Sequence, residues 1–390
     1  MGQTGTTSIR PFRANDWWTS KAALLMGFVY LYTLWFHISL LSFIPLSLLS
    51  ITVIAGFASF GYLVNDFFDK EKDRLAGKGN FLLNKPILYQ MGLPVLSLLL
   101  IALPWLYLPC DRWSFALIGI QLSLFVLYSA PPLRLKERGS AGVVIDALYA
   151  HAVPTMLAAY TFLLASTSVP RYAAFLFLFL WQFLCGVRNI VIHQQEDAAS
   201  DKASNTKTFA NAGNVKIVLN LLQFVLIAEL LCCVVFFSLL TLDHHSFGVC
   251  IAAVLALCFQ PTFWYIHITE NEIPEPPLRY FPNNVYEKWL PLVYLLLLSF
   301  SNVFFLIFLF AHISLFNFGL YRQTGQRGSH IWKSIPFGHL LYLILIPVKT
   351  LTSTVINHVI YYSLLLLGID LKKEQMSALE YFKKRKRSDK

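Results

Sequence analysis

The feature that most constrains this chain is its succession of apolar runs close to twenty residues long. A bilayer's hydrocarbon core is about 30 Å thick, and a helix rising about 1.5 Å per residue needs about 20 apolar residues to cross it. Runs near that length, separated by polar breaks, fall at 22–38, 44–66, 87–108, 113–130, 142–165, 171–192, 217–240, 247–268 and 289–314. A further apolar stretch, 336–368, is interrupted by Pro347 and Lys349, and reads as a tenth span, a broken one, or a helix lying in the interface. The expected fold class is all-α, a polytopic membrane protein with no separate soluble domain.

Composition agrees. The 390 residues are 56% hydrophobic and 13% charged, against about 45–50% and about 25% for soluble domains. A soluble globule, a disordered chain, collagen and a coiled coil are all excluded. The six cysteines sit mostly inside apolar runs, with no CxxC and no zinc spacing, so they read as small buried hydrophobes. The first twenty residues have neither an apolar core nor a small-residue cleavage site, so no removable signal peptide is expected.

Orientation follows from the Lys and Arg residues, because positive loops stay on the cytoplasmic side. The connection 69–86 carries Lys70, Lys72, Arg74, Lys78 and Lys85, 131–140 carries Arg134, Lys136 and Arg138, and 201–216 carries Lys202, Lys207 and Lys216. The alternate connections are short and nearly devoid of positive charge. An amino terminus inside and all three basic loops on the cytoplasmic face is the economical topology. The basic tail Lys383–Arg387 reads as an anchor to anionic lipid, with no nucleic-acid role.

Two carboxylate clusters interrupt this pattern at span ends. In the first, Asn65-Asp66-Phe67-Phe68-Asp69-Lys70-Glu71-Lys72-Asp73, helical spacing puts Asp66, Asp69 and Asp73 on one face. Like charges so placed repel unless a cation neutralises them, and oxygen donors suit Mg²⁺, which takes one or two carboxylates plus substrate phosphates. A plain solvated helix end is the other reading. In the second cluster His193, Asp197 and Asp201 recur at i, i+4 and i+8. The two junctions lie 131 residues apart, which would suit a duplicated helical unit.

A third segment, Tyr128-Ser129-Ala130-Pro131-Pro132-Leu133-Arg134-Leu135-Lys136, stops a span with two prolines and follows it with cations. Read as an extended strand, it would turn alternate basic residues the same way; read blandly, it is a positive-inside anchor. Acid clusters and cations on one side of an apolar bundle would suit a ligand with a diphosphate head and a hydrocarbon tail. Arg188, one turn inside the second cluster, is a candidate pocket residue. His193 is a candidate base or orienter of a metal ligand, and Asp146 a candidate acceptor contact.

These residues resemble the UbiA superfamily of intramembrane prenyltransferases, whose signatures are NDxxDxxxD ending the second span and DxxxD ending the sixth. Asn65, Asp66, Asp69 and Asp73 supply the first motif, and Asp197 and Asp201 the second. Lys202 and Asn205-Thr206-Lys207-Thr208 are similar to the basic residue and Gly-x-Lys/Arg-Thr that follow in the family, with Asn in place of Gly. Lys85-Pro86 is similar to its Arg-Pro pair, and Tyr128 with Arg134 and Lys136 to its tyrosine-plus-basic segment.

The resemblance implies a nine-helix bundle over 21–314, after a cytoplasmic segment 1–20 and before a C-terminal extension 315–390 for which it offers no role. It also implies a Mg²⁺-dependent transfer of an isoprenyl group from a prenyl diphosphate to a lipophilic or aromatic acceptor within membrane lipid. Asp66, Asp69, Asp73, Asp197 and Asp201 would be catalytic and hold the metal. Asn65, Lys78, Lys85, Tyr128, Arg134, Lys136, Arg188, His193, Lys202 and Lys207 would bind substrate. A membrane terpene cyclase of the same superfamily would use the same metal site, and an ion-coupled transporter is a rival of another class.

Overall fold

The computed structural model describes residues 17–77, 79–83, 85–198, 208–212, 215–241 and 281–316, and among these there is no strand. The chain divides into two compact units, Met1–Leu309 and Phe310–Lys390. Chain order in the first unit runs through a π-helical turn Trp18–Ala22, α1 (Ala23–Trp35), α2 (Leu40–Ala76), α3 (Ile87–Ala102) and α4 (Arg112–Ser129). It continues through α5 (Ser140–Ala147), a π-helical turn Leu148–Ala152, α6 (Val153–Leu164), α7 (Tyr172–Glu196) and α8 (Val215–Thr241). After a second π-helical turn, Val285–Trp289, come α9 (Leu290–Ser301) and α10 (Phe305–Phe316).

Six helical segments among the described residues are long and apolar enough to cross a bilayer: Leu40–Leu75, Ile87–Leu106, Arg112–Ser129, Ser140–Leu164, Tyr172–Glu196 and Ile217–Leu240. Only 22% of the most apolar window of Ile87–Leu106 is buried in the protein. Leu88, Leu96, Leu103 and Leu106 are exposed there, a face that water would not tolerate and lipid would. The chain is an integral membrane protein.

Two departures from the apolar-run boundaries matter. The run 44–66 ends at its first carboxylate, whereas α2 continues for ten more residues to Gly77, which closes it in a left-handed conformation (φ 64°). Thirty-seven residues make a helix about 55 Å long, well beyond the hydrocarbon thickness. The acid cluster therefore stands on regular helix near the membrane boundary. The expected span 289–314 is instead two helices of twelve residues, because the Asn302 side chain accepts from the Phe304 backbone N–H (3.1 Å) and sets up a turn. The expected span 247–268 and the stretch 336–368 lie outside the described residues.

Packing brings α7 against α8 and α5, α2 against α3, and α1 against α6 and α9. Trp181 of α7, fully buried, is ringed by Phe28, Phe236, Phe237 and Tyr286 at centroid distances of 5.2–5.6 Å and 5.7 Å for Phe236. At the end of α4 remote from the basic loops, Asp111 accepts from the Trp113 and Ser114 backbone N–H groups. It also accepts from Tyr160 Oη at 2.7 Å, which ties α4 to α6.

Candidate active site

The C-terminal third of α2 presents its acid cluster to two loops. Toward one side, Asp69 takes a salt bridge from Arg134 Nη2 and a second from Lys136 Nζ. Lys136 Nζ also donates to Asn65 Oδ1 (2.8 Å), which accepts from Ser129 Oγ as well (3.1 Å). Arg134 Nη1 reaches the Phe68 carbonyl (3.3 Å). The segment is not the extended one its prolines suggest: Arg134 has left-handed angles (φ 38°) and Leu135–Glu137 is a 3₁₀ turn. Arg134 and Lys136 nevertheless converge on one carboxylate, the arrangement that alternation alone made conceivable.

Toward the other side, Asn80 folds back over α2. Its amide donates to the Asp66 carbonyl and to Asp73 Oδ2, both at 2.8 Å, while its own Oδ1 accepts from Leu82 N–H (3.0 Å). The Phe81 N–H donates to Asp66 Oδ2 (3.3 Å). Asp66 is fully buried and Asp69 nearly so. Lys70 Nζ bonds Gln90 Oε1, and Gln90 returns a bond to the Lys85 carbonyl (2.7 Å), fastening the start of α3 to the same rim. The Lys85 ammonium lies over the Phe81 ring at 5.4 Å.

Glu137 joins the network from outside, accepting from Lys72 Nζ and Arg134 Nε, each at 2.5 Å. Burial pushes its carboxyl pKa up, but the hydrogen bonds from Lys72 and Arg134 outweigh burial and hold it below the usual carboxylate value. For Lys136 the balance is reversed: burial lowers its pKa more than Asp69 raises it. Burial works against the Arg134 cation too, yet Glu137 and Asp69 leave its proton held more tightly than usual.

Beneath this rim lies an aromatic and acidic layer. The Tyr128 ring meets Tyr149 edge-on at 5.1 Å, and Phe125 packs on Tyr149 at 4.9 Å. Tyr149 Oη donates to Asp146. Tyr128 lies within electrostatic reach of both Asp69 and Asp146, and Asp146 within reach of Lys21 and His193. His193 Nε2 stands 3.7 Å from Asp197 Oδ2 at the end of α7.

Arg188 is placed deeper. It is buried and bidentate with Glu229 of α8, Nε to Oε2 at 2.7 Å and Nη2 to Oε1 at 3.0 Å, and it also donates to Asn283 Oδ1 (2.8 Å). Lys78, Asp201, Lys202 and Lys207 lie outside the described residues.

The donor set at the rim is all oxygen, the chemistry of a hard divalent cation. No three His, Cys, Asp or Glu side chains among the described residues form a metal cage. Mg²⁺ is such a cation, held by one or two carboxylates and completed by water and substrate phosphate.

A helical membrane bundle with buried carboxylates and convergent cations near the end of its longest span defines the class as an intramembrane enzyme. The chain belongs to the UbiA prenyltransferase family, whose model matches residues 17–281. Its fold is similar to a UbiA homologue from Archaeoglobus fulgidus bound to DMAPP and Mg²⁺, at TM-score 0.53 and 17% identity over 73% of this chain and 96% of that one. The same homologue bound to GPP and Mg²⁺ gives 0.51 and 18%, with the same coverage. A digeranylgeranylglyceryl phosphate synthase gives 0.50 and 18%, over 79% of this chain and 98% of that one. No curated protein matches the chain.

Sequence reasoning missed Asn80, Glu137 and Glu229. Glu229 carried a signal, a lone carboxylate inside the run 217–240, which in a membrane calls for a partner. Asn80 and Glu137 carried none, since both act across a fold that local spacing does not reveal.

Proposed function

We propose that this protein transfers an isoprenyl group from a prenyl diphosphate to a lipophilic or aromatic acceptor and releases diphosphate, with the rim of α2 as the diphosphate site. The observation that carries this reading is the convergence of Arg134 and Lys136 on Asp69 at the mouth of a span whose neighbouring turns hold Asp66 and Asp73. Cations already gathered there can exchange one carboxylate for phosphate oxygens without crossing a dielectric boundary. The diphosphates and Mg²⁺ bound by the similarly folded A. fulgidus homologue support the same substrate class.

Asp66, Asp69 and Asp73 from α2, and Asp197 and Asp201 from the second motif, would hold Mg²⁺. Bound there, the metal supplies charge neutralisation for the departing diphosphate. Asn65, Lys78, Lys85, Arg134, Lys136, Lys202 and Lys207 bind and orient the phosphates. The C1–O bond of the substrate breaks with its electron pair leaving on diphosphate, and the allylic carbon bonds to the acceptor. The proton that the acceptor loses passes to the released diphosphate. Tyr128 and Tyr149 present ring faces and edges just below the rim and stabilise positive charge on the allylic fragment. The surrounding bundle excludes the water that would intercept it. Arg188 acts through the pocket wall, and His193 orients Asp197. The positive charge of the segments 69–86, 131–140 and 201–216 supports a site on the cytoplasmic face.

The test is pyrophosphate release by the purified full-length protein with Mg²⁺ and a series of prenyl diphosphates, with and without a membrane-lipid extract as acceptor source. Release that needs both Mg²⁺ and the extract is expected. Release without the extract, yielding a cyclic hydrocarbon or alcohol, would replace transfer by cyclisation, and no release with any chain length would reject the reading.

A further inference from the structure

One polar chain inside the bundle runs on from Arg188 beyond the contacts described above. It begins at Glu229, whose carboxylate fixes the Arg188 guanidinium in a two-point bond. Arg188 Nη1 then donates to Asn189 Oδ1 (3.1 Å). A guanidinium cannot accept a hydrogen bond, so this contact settles which end of the Asn189 amide is oxygen. The amide nitrogen consequently faces His151 Nε2 at 3.2 Å and donates to it. With Nε2 accepting, the imidazole proton sits on Nδ1.

His151 Nδ1 is buried and has no hydrogen-bond partner among the described residues. The chain of contacts thus fixes a tautomer and leaves that N–H without an acceptor among them. Buried donors of this kind are rare and costly in folded proteins. Tyr286 Oη and Trp181 Nε1, whose rings meet edge-on at 5.2 Å, are among the other described atoms in this condition.

The backbone is shaped around this point. His151 lies in the π-helical turn Leu148–Ala152, a feature often found at functional positions. Opposite, a Cβ at Gly186 would lie 2.6 Å from Ala147 Cα, so only glycine lets α7 bring Arg188 and Asn189 this close. Tyr149 of the same turn packs on Tyr128, directly under the proposed diphosphate rim.

Resting on the transfer reading above, we infer that His151 Nδ1–H is the hydrogen-bond donor to a hydroxyl or carbonyl oxygen of the acceptor. A hydrocarbon tail cannot satisfy the donor, whereas an oxygen can.

The experiment measures binding of hydroquinone to the full-length protein in detergent by quenching of tryptophan fluorescence. His151→Leu should weaken hydroquinone at least tenfold while binding geranyl diphosphate with Mg²⁺ as wild type does. His151→Asn, whose amide nitrogen falls near the position of Nδ1, should retain hydroquinone, whereas His151→Gln, which carries its amide further out, should lose it. The Asn and Gln variants decide the matter if the Leu variant does not fold.

Equal hydroquinone binding by wild type and His151→Leu or His151→Gln would overturn the inference and leave the donor to a buried water. So would no hydroquinone binding by a wild type that binds geranyl diphosphate. Failure of wild type to bind any prenyl diphosphate would instead defeat the transfer reading, and the hydroquinone comparison would stand or fall separately.

Discussion

Asp69 is where the account becomes most local. Its carboxylate carries two cations that each have few other anchors, Arg134 sharing itself with Glu137 and Lys136 with Asn65. Asp69→Asn should therefore cost more than a surface carboxylate would, because it leaves two nearly buried positive charges facing each other. The expected outcome is a lower thermal midpoint and loss of turnover; unchanged values for both would remove Asp69 from the site. Glu137 gives a prediction in pH. Its folded-state pKa lies below the unfolded value of about 4.3, so its contribution is complete above that value and is lost as pH falls through the folded pKa. The difference in thermal midpoint between wild type and Glu137→Gln should accordingly be constant near neutrality and shrink below about pH 4. A difference that grows on acidification would contradict the assigned contacts.

At the scale of elements, the determining object is α2, a helix that outruns its own apolar sequence. The motif spacing made the acidic face readable, because i, i+3 and i+7 fall together on any helix. What spacing could not disclose is that the face is shared between two loops, Asp69 turned to Arg134 and Lys136, and Asp66 and Asp73 tied to the turn at Asn80. Asn80 donates both amide N–H groups and accepts once through its carbonyl oxygen at this junction. Asn80→Ala should lower stability by about 1–3 kcal/mol, in the range for leaving buried partners unsatisfied. It should also weaken Mg²⁺-dependent diphosphate binding, since Asp73 loses the group that aims it. A variant that melts like wild type and binds diphosphate equally well would show the turn to be incidental. The break of the expected last span at Asn302 has the same lesson: a single side chain accepting a backbone N–H outweighs apolar continuity that a moving average sees as unbroken.

For the whole molecule, the all-helical membrane architecture was legible because bilayer thickness imposes one length on every span. The interior polar chain was not legible, since its members come from α7, α8 and the turns around His151 and Asn283, far apart in sequence. Removing either partner of the Arg188–Glu229 pair alone should destabilise by about 3–5 kcal/mol, while Arg188→Leu with Glu229→Leu should recover much of that loss. Melting the two single variants and the double one measures this, and additive losses would mean the pair is not coupled. The central claim is that the acid motifs ending α2 and α7 act as one diphosphate site. It is tested most directly by pyrophosphate release with Mg²⁺, a prenyl diphosphate and acceptor extract in wild type, Asp66→Asn and Asp197→Asn, each first shown to be folded. The account predicts metal-dependent release by wild type and none by either variant; release retained by either folded variant would contradict it.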